Sequence, residues 1–138
     1  MSSGGGALPG ASGVLDGDLY QRARSVMGET SAAVDALSAF MQARAALEES
    51  HAKSLARLSK TALNVSESAL HPAVFEALAS LRGDIVNESV QHRELATAIA
   101  KDVIEPLASL RESAEMVVRV VRAAAAAAAA RARDVQLQ

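Results

Sequence analysis

Residues 40–58 read FMQARAALEESHAKSLARL. With Leu37 ahead and Ala62 behind, apolar or small side chains recur at Leu37, Phe40, Leu47, Leu55, Leu58 and Ala62. Steps of three, four and seven keep one face of a helix turned toward a partner. Arg44, Glu48 and His51 share that face, so it is not purely apolar. The stretch predicts one long helix that packs by a stripe, and a chain organised around it.

Composition supports the same reading. Half of the 138 residues are apolar, yet the aromatics are Tyr20, Phe40 and Phe75 alone. Ala, Leu, Arg and Glu enter helices at little cost, whereas strands favour aromatic and β-branched residues. The expected class is all-α, an elongated antiparallel helical hairpin or bundle. There is no cysteine, which removes disulfides and thiolate metal sites. The first residues, MSSGGGALPGASG, lack the basic start and apolar core of a signal peptide. The longest apolar run, Met116–Ala130, is interrupted by Arg119 and Arg122, so no spanning helix is expected and a cytoplasmic location is. A net charge of -2 argues against a general nucleic-acid binder. Residues 116–133 nonetheless hold Arg119, Arg122, Arg131 and Arg133 and no acid.

Three parts are expected along the chain: a disordered Gly/Ser-rich leader over 1–15, a helical hairpin over 16–115, and a helical extension over 116–138 that looks cut off at Gln138. Asp16 or Asp18 caps the first helix, which runs from about Asp18 to about Asn64, with a bend near Met27–Thr30 where Gly28 weakens it. Pro72 suits the first turn of a second helix. Its stripe is Phe75, Leu78, Leu81, Ile85, Ser89, His92, Leu95, Ile99, Val103 and Leu107, and Pro106 should kink or divide it. The stripe then passes through Leu110, Ala114, Val117 and Val121 into eight alanines, Ala123–Ala130, a low-complexity tract of high helix propensity. Two helices alone leave apolar face uncovered, which predicts self-association or a further helix.

The residues on these helices resemble the start of an F-BAR module, the FCH region. The family's Phe, Arg-Ala, aliphatic-Glu, Tyr-Ala-Lys and paired Leu are matched by Phe40, Arg44-Ala45, Leu47-Glu48, His51-Ala52-Lys53, Leu55 and Leu58. Its second helix is matched by Phe75, His92, Leu95-Ala96, Val103 and Pro106-Leu107. His51 stands where Tyr is commonest, and Phe75 where Trp is. The resemblance covers roughly residues 18–115. It implies a helical homodimer that lays a basic face on anionic phospholipid and serves membrane remodelling, endocytosis or actin-linked and Rho-GTPase signalling. By the same resemblance Lys60, Arg119 and Arg122 are lipid-contact candidates, with Arg111 behind them. The bundle core is expected from Leu37, Phe40, Arg44, Leu47, Glu48, His51, Leu55, Leu58, Phe75, Leu78, Ile85, His92, Leu95, Ile99, Val103 and Leu107.

Competing chemistries fare poorly. Arg44 and Glu48, four apart, suit an ion pair inside the bundle. His51 and His92 fall on facing apolar stripes, but no third ligand is evident at a suitable spacing, so no metal site is expected. The His-x-Glu of His92-Arg93-Glu94 lacks the cysteines a zinc deaminase needs. No nucleophile triad, phosphate-cradling glycine loop or carboxylate pair can be placed, so neither catalysis nor a cofactor is expected. The alternatives to a lipid-binding module are a helical protein-interaction module without lipid binding, and a truncated product with no stable fold alone.

Overall fold

The computed structural model describes the backbone of residues 11–138 and the side chains from Gly17 onward. The expected leader therefore lies largely outside the described residues, as does the Asp16 side chain. Helix α1 spans Ala11–Ser59, a short 3-10 turn spans Glu67–Ala69, and α2 spans Pro72–Ile99. A π turn over Ala100–Ile104 leads into α3, Glu105–Gln136. The described residues are thus almost entirely helical, as their content of Ala, Leu, Glu and Arg dictates.

Two expectations about α1 are corrected. It begins at Ala11, which puts Asp18 inside the helix, where it pairs with Arg22 at 3.1 Å instead of capping. It also runs unbroken through Gly28, because the roughly 1 kcal/mol penalty of one glycine is small beside the bonds on either side. At the other end α1 stops at Ser59, where the Ser59 hydroxyl donates to the Ala56 carbonyl at 2.9 Å. Pro72 does open α2. The His71 Nδ1 accepts from the Ala73 amide at 3.3 Å, which satisfies one of the open donors of the first turn. Arg82 closes the connection between the helices: its guanidinium donates to both carboxylate oxygens of Glu67, at 2.7 and 3.1 Å, and to the Thr61 carbonyl at 3.0 Å.

The chain resolves into two compact units: Ala36–Ser109, and the chain up to Asp35 with Leu110–Gln138. In the first, α1 and α2 form an antiparallel hairpin. Its seam on α1 is Ser38, Met41, Ala45, Glu48, Ala52, Leu55 and Ser59, alternating steps of three and four. Opposite stand Leu78, Arg82, Ile85, Ser89, His92, Ala96, Ile99 and Val103, in the same rhythm. This is a heptad seam in which one of the two positions is small throughout on α1, at Ser38, Ala45, Ala52 and Ser59, and small at Ser89 and Ala96 on α2. Ala52 is fully buried, and the Ser89 hydroxyl reaches across to donate to the Ala52 carbonyl at 2.8 Å. Small side chains let the backbones approach until a serine can bond the neighbouring main chain.

That seam lies one residue around the helix from the one the large side chains suggest. Leu37, Phe40, Arg44, Leu47, His51 and Leu58 are exposed, with Phe40 and Leu47 each at 68 %. On α2, Phe75, Leu81 and Leu95 are exposed as well. Within the single chain these are surface residues, whereas Glu48, Leu55, Leu78, Ile85, His92, Ile99, Val103 and Leu107 are buried or half-buried. The reason is steric: closest approach goes to the face whose residues are small, not to the one whose residues are most apolar.

Pro106 acts through the π turn. The Glu105 amide bonds the Ala100 carbonyl, five residues back. A widened turn is where a helix absorbs a residue that lacks a donor and whose ring crowds the carbonyl four residues earlier. The extra residue advances the inward face by one position. Ala114 and Val118 are therefore half-buried against α1 in the second unit, while Leu110, Val117 and Val121 are exposed, a correction to the uninterrupted stripe.

Candidate functional site

Two features carry chemistry, one in each unit. In the unit built from the α1 start and α3, an open groove of about 430 Å³ is lined by Arg24, Met27, Gly28 and Ser31 of α1 and by Ala114, Glu115, Val118, Arg119 and Arg122 of α3. Gly28 presents no side chain on α1, and a Cβ built there would meet nothing within 4 Å. Three arginines surround the groove. Its one acid, Glu115, is held by Arg111 at 3.2 Å, and Arg111 also pairs with Asp35 at 3.3 Å. Arg119 Nε approaches the Glu115 carbonyl at 3.5 Å. The groove therefore carries a positive charge toward solvent.

Of the residues singled out for lipid contact, the structure brings Arg119 and Arg122 to this groove. Arg111 does not line it and has its charge engaged by two carboxylates, and Lys60 belongs to the other unit, exposed in the turn after α1. Arg24 was missed. It lies on the expected first helix one turn before Gly28, and nothing in the local sequence marks it as lining a groove with α3.

In the hairpin unit the seam is interrupted by a polar layer. Glu48 is only 6 % exposed. Arg44 Nε donates to its Oε1 at 2.6 Å, and the other oxygen, Oε2, meets His92 Nδ1 at 2.5 Å. The His92 bond, followed by the Arg44 contact, holds the Glu48 carboxyl below the ordinary glutamate value against the opposing effect of burial. An ionised carboxylate only accepts, so His92 Nδ1 is the donor of this bond. The His51 ring lies against the His92 ring with centroids 4.4 Å apart and a tilt of 51°. Glu88, one turn before His92 on α2, places Oε1 3.8 Å from His92 Nε2. The expectation that neither histidine has a third ligand beside it is thereby corrected: an i, i+4 carboxylate shares a helix face with His92.

Residues 20–94 match the family model described as the Fes/CIP4, and EFC/F-BAR homology domain. The matched segment is more than half of the chain and includes most of α1, the connection and most of α2. The chain belongs to the FCH/F-BAR family. No curated protein and no solved structure matches it. F-BAR domains are scaffold modules of membrane-associated proteins, and the all-α hairpin of this chain agrees with that architecture. Among the described residues no helix is long and apolar enough to cross a membrane. Within the F-BAR match fall Arg24, Arg44, Glu48, His51, Lys60 and His92, whereas Arg111, Arg119 and Arg122 lie beyond it.

Proposed function

We propose that this chain is a peripheral membrane module, which binds anionic phospholipid through basic side chains of α1 and α3 and pairs with a second copy through exposed helix faces. Membership of the F-BAR family carries the reading, since that family's modules associate with membranes and dimerise. The groove arginines Arg24, Arg119 and Arg122 supply the charge, with Lys60 as a further contact and Arg111 as their support. A cation near an anionic leaflet gains about 1 kcal/mol, and the attraction fades over roughly 8 Å at physiological salt. The module acts on the cytoplasmic face of membranes, in remodelling or in endocytic, actin-linked and Rho-GTPase signalling.

Cosedimentation with phosphatidylserine vesicles over a salt series tests this. Binding should weaken steadily as salt rises. Reversing Arg24, Arg119 and Arg122 to Glu together should reduce vesicle partitioning by at least about a hundredfold. Binding insensitive to both salt and charge reversal would remove the assignment. The second reading, a protein-interaction module without lipid binding, draws on the exposed Leu37, Phe40, Leu47 and Leu58 of α1, and predicts no vesicle binding at any salt.

A further inference from the structure

The polar layer of the hairpin unit does more than interrupt a seam. We propose that His51, Glu88 and His92 bind a divalent late first-row metal ion, Zn²⁺ foremost, in a three-ligand site that bridges α1 and α2.

The donor atoms of these three residues all lie within 4.8 Å of one another. A tetrahedral Zn²⁺ with bonds of about 2.0–2.1 Å sets its ligand atoms about 3.4 Å apart, so closure needs rotamer adjustment and no backbone movement. Two of the three ligands are free to make it, because His51 and Glu88 are both exposed. The third is already oriented. Glu48 accepts from His92 Nδ1, which fixes the ring and leaves Nε2 as the free donor on the side of Glu88. A carboxylate behind a ligating imidazole is the arrangement that orients the ring and raises its basicity in zinc sites. Glu48 is itself fixed by Arg44, so the support extends two residues behind the ligand.

The donor set selects the class of metal. Two imidazoles and one carboxylate suit Zn²⁺, Co²⁺ or Ni²⁺, whereas Mg²⁺ and Ca²⁺ require oxygen ligands throughout. With three protein ligands, a fourth position remains for water. Because His51 comes from α1 and the other two from α2, the ion links the two arms of the hairpin. Metal that binds only the folded hairpin must stabilise it.

The test is calorimetric titration of the full chain with ZnCl₂, paralleled by thermal unfolding followed by circular dichroism. The expected result is one ion per chain, a raised unfolding temperature with Zn²⁺ and none with Mg²⁺, and a Co²⁺ complex with tetrahedral visible absorption. His51→Ala and Glu88→Gln alter exposed side chains, so helicity without metal should be unchanged, while Zn²⁺ affinity falls at least tenfold in each. Glu48→Gln tests the supporting role and should weaken binding about tenfold to a hundredfold. Absence of saturable Zn²⁺ binding overturns the proposal. So does Zn²⁺ affinity that stays within threefold of the original in either His51→Ala or Glu88→Gln.

Discussion

Arg82 shows what one residue does in this fold. It leaves α2 to grip Glu67 with two bonds and the Thr61 carbonyl with a third, and so ties the start and the middle of the connection to the second helix. The bonds from Arg82 hold the Glu67 carboxyl below its ordinary value of 4.5, and the same pairing raises Arg82. A carboxylate whose folded pKa is depressed adds stability above its unfolded pKa and loses it as pH falls through the folded value. Urea midpoints should therefore drop between about pH 6 and about pH 3, and part of that drop should vanish in Glu67→Gln. The variant should also be less stable than the original at neutral pH. An unchanged pH profile in Glu67→Gln would show that the pairing is not retained in solution.

At the scale of elements, the hairpin is governed by its small residues. Ala52 is completely buried at the point where Ser89 bonds the α1 main chain, and Ala96 and Ser59 are buried along the same seam. Enlarging such a position forces the helices apart. Ala52→Leu should cost about 1–3 kcal/mol in chemical denaturation. Ala46→Leu, the same change on the exposed face of α1, should stay within about 0.5 kcal/mol. Equal effects at the two positions would contradict the assigned seam. The π turn belongs to this scale too: a proline that the sequence marks as a break is accommodated by one widened turn, and the packed face resumes a residue later.

Within the molecule as a whole, the burial pattern leaves α1 with two faces. One packs on α2. The other, with Leu37, Phe40, Leu47 and Leu58, remains exposed in the single chain. A stripe of large apolar side chains beside an already satisfied seam is the surface through which the proposed pairing of two copies would run. Phe40→Ser combined with Leu47→Ser should lower association at least tenfold by sedimentation velocity, while the stability of the separate chain shifts by less than about 0.5 kcal/mol per site. Intact association in that double variant would move the interface elsewhere.

Helix content, the Pro72 start and the FCH resemblance were all legible in the sequence, because propensity, proline geometry and a residue pattern are local properties of the chain. Most of the α2 seam was legible for the same reason: its large and its packed residues coincide at Leu78, Ile85 and Ile99. On α1 they do not coincide, and periodicity alone cannot distinguish two stripes one residue apart. Only the packing of α1 on α2 decided between them, since the burial of a side chain depends on how near the facing helix comes. The polar layer was settled the same way. Glu48, His51 and His92 read as core positions of two facing stripes, but which groups pair, and that Glu88 joins them, is decided only when two helices in register set them within reach of one another.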